Sequence, residues 1–147
     1  MKIGLASDHR GFKLKKYLTE QLYLQNYEII DFGTNDEEST DYPDYAFALG
    51  KAVVSKDVDY GVAICGSGIG ISIACNKVKG IRCAKVSNKE EAKITRIDNN
   101  SNIVALSEKT SEIEALEIVK TFIETSASLE EKHIRRINKI INYEENN

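Results

Sequence analysis

Residues 2–7 read KIGLAS, a short apolar run closed by Ser7-Asp8-His9-Arg10-Gly11, which predicts a strand followed by a loop. Leu14, Leu18 and Leu22 then recur every four residues with Lys13, Lys15, Lys16 and Glu20 between them, laying one apolar stripe along a helix. Residues 27–32 (YEIIDF) form a second β-branched run ended by Gly33. The acidic loop 36–44 holds the only proline, Pro43, and a helix is expected beyond it. Residues 59–65 (DYGVAIC) are almost continuously apolar, the pattern of a strand buried on both faces. Gly66-Ser67-Gly68-Ile69-Gly70 then turns the chain into ISIACNK, where Ile71, Ala74 and Asn76 suit a short helix. Strands at 81–86 and 103–106 and helices at 88–97, 111–124 and 129–143 complete the pattern.

Strand and helix alternate five times, which predicts an α/β fold: one three-layer α/β/α Rossmann-like domain over residues 1–147, with a five-stranded parallel sheet and residues 129–143 as a C-terminal helix. Functional groups in such sheets gather at the carboxyl ends of strands. Asp8 and His9 follow the first strand, Cys65 ends the third, and the 98–102 segment precedes the fifth. The polar tail, residues 144–147, is expected to fray.

Composition narrows the class. The 147 residues are 41% hydrophobic and 29% charged, ordinary for a globular chain. Twenty Lys and Arg against 23 Asp and Glu leave a net charge of -3, so no nucleic-acid partner is expected. Three cysteines without a Cys-x-x-Cys pair fit neither a disulfide scaffold nor a zinc site. With no basic and apolar leader and no run of roughly 18 apolar residues, a soluble, cytoplasmic protein without membrane contact is expected.

Cys65 lies between a buried strand and a glycine-rich turn that opens a helix, where the helix's positive end and free N–H groups favour a thiolate. One reading is a usable base or nucleophile; the other is a small core residue at a strand end. Three glycines in five residues also expose N–H groups able to cradle an anion. Their G-x-G-x-G spacing is not that of a dinucleotide fingerprint, and no Lys follows as a P-loop requires. Cys75 and Cys83 sit in apolar settings that suit packing. His9 and His133 lie far apart in sequence and make no ligand cluster by spacing. Lys132 and Arg136, four residues apart, share a helix face that is either solvated or a phosphate clamp.

Taken together, SDHRGF at 7–12, DFGT at 31–34, DYPDYA at 41–46, ICGSGIGISIACNK at 64–77 and GIR at 80–82 resemble the type B ribose-5-phosphate isomerases, in order and over almost the whole chain. The galactose-6-phosphate and allose-6-phosphate isomerases share that framework. The resemblance implies a pentose-phosphate-pathway aldose–ketose isomerase, free of metal and cofactor, that interconverts ribose 5-phosphate and ribulose 5-phosphate through an enediol. It also implies a homodimer with active sites shared between subunits. Cys65 matches the family's thiol base. The backbone of Gly66, Ser67, Gly68, Ile69 and Gly70, with the Ser67 hydroxyl, matches its anion hole. Asp8 and His9 match a substrate-holding pair, the carboxylate for sugar hydroxyls and the imidazole toward the phosphate. Tyr42 matches a residue lining the sugar site, and Asn99 an amide that contacts sugar oxygens. Lys132 and Arg136, with Lys109 from the partner subunit, match phosphate-binding positions.

The departures from that pattern are specific. Asp98 stands where the family carries a ring-opening histidine, replacing a group that titrates near neutrality by one expected to be ionised; it can accept a proton but donates poorly unless its pKa is raised. Lys109 and Lys132 stand in place of arginines, keeping charge while losing the bidentate fork. Ser107, Glu130 and Glu131 replace glycines. Ile71 stands where some members carry a carboxylate base, which leaves Cys65 as the base. A six-carbon sugar phosphate, allose or galactose 6-phosphate, is the alternative substrate, and a catalytically weak sugar-phosphate binder the alternative class.

Overall fold

The computed structural model describes residues 1–147. It orders β1 (Lys2–Ser7), α1 (Phe12–Leu24), β2 (Glu28–Asp31), α2 (Tyr42–Val54), β3 (Tyr60–Cys65), α3 (Ile69–Cys75), β4 (Cys83–Lys85), α4 (Lys89–Asn99), β5 (Ile103–Ser107), α5 (Glu112–Glu124) and α6 (Glu131–Glu145). The five strands form one parallel sheet in the order β2-β1-β3-β5-β4. The central three are buried almost end to end, whereas β2 and β4 are short, half-exposed edges.

The two-residue period of the central strands sorts side chains by size. Ile3, Leu5, Val62, Ile64, Val104 and Leu106 face one way, into a core with Leu14, Leu18 and Leu22 of α1, Ala92 of α4, and Ala115, Ile118, Val119 and Phe122 of α5. Ala6, Ala63, Cys65 and Ala105 face the other, against α2 and α3. Small residues there let α2 lie close: a Cβ on Gly4 would stand 2.8 Å from Leu49 Cδ1. Each fully buried leucine on α1 contributes about 1.5–3 kcal/mol. Cys65 therefore lies on the tight face, at the end of the middle strand.

Three features depart from the sequence reading. Lys15, which falls between the leucines of the α1 stripe and outside it, is nonetheless buried, with its ammonium on Asp31 and over the Phe12 ring. The tail does not fray at its start: α6 runs on to Glu145, and Glu144 accepts a hydrogen bond from Gly80 N at 2.8 Å. Finally, α4 extends to Asn99, so Asp98 and Asn99 occupy its last turn, capped by Asn100 in the left-handed conformation. Because α4 runs back against the strands, that turn sits at their amino ends, before β5 as the sequence order implies and opposite the end that carries Cys65.

Candidate active site

The Cys65 loop is built by β3 and by what lies beneath it. Cys65 is 5% exposed, and its sulfur accepts a hydrogen bond from Gly68 N at 3.2 Å. Gly68 makes that turn at φ +77°, pressed against the Leu106 carbonyl. The neighbouring strand holds the loop in place: Ser107 Oγ donates to Gly66 O at 2.8 Å, and Glu108 N donates to Cys65 O at 2.9 Å. Ser107 thus splints the turn. Ser67 Oγ accepts from Ile69 N at 3.1 Å. The N–H groups of Gly66, Ser67 and Gly70 meet no acceptor within the chain, leaving donors free beside the sulfur.

Around this loop stand Asp8, His9 and Tyr42. Asp8 is 6% exposed, and its Oδ1 accepts from Arg10 N and Gly11 N at 3.0 and 3.1 Å, a turn that starts α1. His9 Nδ1 accepts from Thr40 N at 3.2 Å, which fixes the neutral tautomer with its proton on Nε2. The Tyr42 ring lies over Gly70, where a Cβ would stand 2.7 Å from Cζ. Lys109, just past β5, shares this rim, its N–H donating to Ser107 Oγ.

Two further residues on this rim were not singled out from the sequence. The Arg10 guanidinium lies 3.0 Å from where a Gly66 Cβ would be, and its Nε donates to Glu108 Oε1 at 3.1 Å. The hydrogen bond and charge of Glu108, helped by Asp8 and Cys65, hold the Arg10 pKa above its ordinary value. A lone arginine inside SDHRGF gave no spacing signal, because its partner stands 98 residues away.

The other candidates gather at the opposite end of the sheet. Asp98 and Asn99 end α4, and Lys132 and Arg136 lie on α6, which packs against it. His133 Nε2 stands 3.5 Å from Asp98 Oδ1, and Lys132 Nζ 3.7 Å from Glu130 Oε2. Asn99 Oδ1 accepts from Thr95 Oγ1 at 3.3 Å. The five residues of β5 separate this cluster from the Cys65 loop, ~15 Å at the rise of a parallel strand. One chain therefore does not bring Asp98 to Cys65. On α3, beside the loop, Ile69 and Ile73 are each 56% exposed. No three His, Cys, Asp or Glu side chains converge as a metal site would require, and no helix is long and apolar enough to cross a membrane.

Comparison with known proteins gives a consistent picture. The model of the Ribose/Galactose Isomerase family matches residues 3–140. The ribose-5-phosphate isomerase B of Escherichia coli is 41% identical, over 84% of this chain and 80% of its own. The structure of Clostridium thermocellum ribose-5-phosphate isomerase B superposes with a TM-score of 0.96 at 44% identity, covering 99% of each chain. That of the Mycoplasma genitalium enzyme, crystallised with bound ribulose 5-phosphate, superposes with a TM-score of 0.92 at 38% identity, covering 99% of this chain and 97% of its own.

Proposed function

Because the chain belongs to the ribose/galactose isomerase family, we propose that it interconverts ribose 5-phosphate and ribulose 5-phosphate, the whole of residues 1–147 serving as one cytoplasmic isomerase domain. The observation that carries the chemistry is the Cys65 sulfur beside unpartnered N–H groups of a glycine turn. Isomerisation moves one hydrogen from C2 to C1 on one face of the sugar, the work of a single base. Cys65 takes that proton and returns it. The charge that develops on the carbonyl oxygen falls to the free N–H groups of Gly66, Ser67 and Gly70 and to the Ser67 hydroxyl, with no metal required. Asp8 holds sugar hydroxyls, His9 faces the phosphate, and Tyr42 and Asn99 line the sugar.

The working site needs two copies of the chain. Asp98, Asn99, Lys132 and Arg136 of one copy complete the Cys65 rim of the other, where Lys109 adds a third cation for the phosphate. The division of candidates between two ends of the sheet supports this assembly, as do the exposed Ile69 and Ile73 beside the loop. In the dimer Asp98 opens the furanose ring.

The test is turnover of ribose 5-phosphate by purified protein stripped of metal with a chelator, against allose 6-phosphate under the same conditions. Ribulose 5-phosphate forming at the higher kcat/KM supports the proposal. Preference for the hexose phosphate moves the assignment to a six-carbon substrate, and binding without turnover of either makes the chain a sugar-phosphate binder.

A further inference from the structure

α6 is almost entirely exposed, with Ile137 its one buried apolar residue, yet its first turn buries a polar ring. The His133 side chain keeps 12% of its exposure, and its Nδ1 is shut away with no hydrogen-bond partner. Leaving such an atom unpaired costs about 1–3 kcal/mol. Packing alone would be met by an apolar residue. The opposite edge of the ring faces chemistry: Nε2 stands 3.5 Å from Oδ1 of Asp98, whose side chain is 46% exposed.

Opening a furanose requires two proton movements. The C1 hydroxyl loses a proton as its oxygen forms the carbonyl, and the C1–O4 bond breaks with its electron pair going to O4, which gains a proton. A carboxylate acting alone can give O4 a proton only after taking one from the C1 hydroxyl, so it cannot serve both oxygens as the C1–O4 bond breaks. An imidazolium carries a proton on each ring nitrogen and can supply one to O4 while the carboxylate takes that of the C1 hydroxyl.

We propose that Asp98 and His133 form one acid–base pair for ring opening, with His133 as a further catalytic residue. This rests on the reading of Asp98 as the ring-opening group. The His133 imidazolium gives its Nε2 proton to O4 while the Asp98 carboxylate takes the proton of the C1 hydroxyl. Asp98 then passes that proton back to Nε2, so the pair resets without any other reactant. An imidazole carried on α6 thereby restores the acid that a carboxylate at position 98 lacks.

The experiment compares a reaction that needs ring opening with one that does not. Ribose 5-phosphate enters as a furanose. Ribulose 5-phosphate cannot close one, because the oxygen its ketone would need carries the phosphate. Its uptake of solvent deuterium at C1 reads the Cys65 step alone. In the intact protein, His133→Gln keeps a donor at the Nε2 position but does not titrate. The expected result is turnover of ribose 5-phosphate reduced about a hundredfold with deuterium uptake changed less than about threefold. Asp98→Asn is expected to show the same split, and adding Asp98→His to His133→Gln to restore turnover. Unchanged turnover in His133→Gln overturns the pair, as does an equal fall of both readouts, which marks a structural residue. If Asp98→Asn alone shows the split, the reading of Asp98 stands and the pair fails; if Asp98→Asn leaves turnover intact, both fail.

Discussion

Gly68 N–H points at the Cys65 sulfur from 3.2 Å, and the same residue turns the chain at φ +77° with no room for a side chain beside the Leu106 carbonyl. The thiol and its nearest donor are thus set by one left-handed glycine. A Cβ there would stand 2.8 Å from the Leu106 carbonyl carbon, which is backbone and cannot move aside cheaply. Gly68→Ala is expected to lose about 1–3 kcal/mol of stability. The displaced N–H should lower turnover tenfold or more. Denaturant unfolding and steady-state kinetics on the same preparation read both.

Arg10 covers Gly66 while held by Glu108. Removing the guanidinium leaves Glu108, with 26% of its side chain exposed, as an uncompensated negative charge beside the thiol loop. Arg10→Ala should therefore slow alkylation of Cys65 by iodoacetamide at neutral pH several-fold. Glu108→Ala added to it should recover most of that loss. Equal rates in all three proteins would deny Arg10 any influence on the thiol.

Arg96 anchors the turn that carries Asp98. Only 3% exposed, it donates to Thr125 O, Asn100 Oδ1, Ser101 O and the Tyr60 hydroxyl, and its guanidinium lies 4.8 Å from the Tyr60 ring centroid. Arg96→Ala strands those acceptors and should cost about 3–5 kcal/mol, read as a lower denaturation midpoint. Arg96→Lys should recover little of it, since one ammonium cannot replace the planar fork.

Cys83 gives the fold an alkaline limit. Its hydrogen bond with Cys75, and then its burial, push the thiol well above the ordinary value. A group held protonated in the folded state but free to ionise when unfolded stabilises the fold below the unfolded pKa, and that stability is lost as pH rises. The urea midpoint should fall above about pH 8.5, and Cys83→Ala should flatten that fall. Midpoints measured at pH 7 and pH 10 for both proteins decide it.

The apolar runs at 2–7, 59–65 and 103–106 were legible as strands because central parallel strands are apolar on both faces. The leucine stripe of α1 was equally plain. Which face carries the large residues emerges only when alternate positions of three strands are stacked together. Lys15 misled because helical spacing says which residues share a face but not that Asp31 waits across it. Residues 64–70 announced a site because glycines and a cysteine at a strand end have few other uses. Asp98 and Asn99 could be matched to family positions, but their separation from Cys65 is a property of helix direction: α4 carries them back to the other end of the sheet. His133 and Arg10 drew no assignment because each depends on a partner distant in sequence.

The most direct measurement is deuterium uptake from solvent into C1 of ribulose 5-phosphate by Cys65→Ala, with folding verified by an unchanged circular dichroism spectrum. With Cys65 as the base, uptake falls at least about a hundredfold relative to the parent protein. Uptake at the parent rate in the folded variant would contradict it, and the proton would have to be carried by another group.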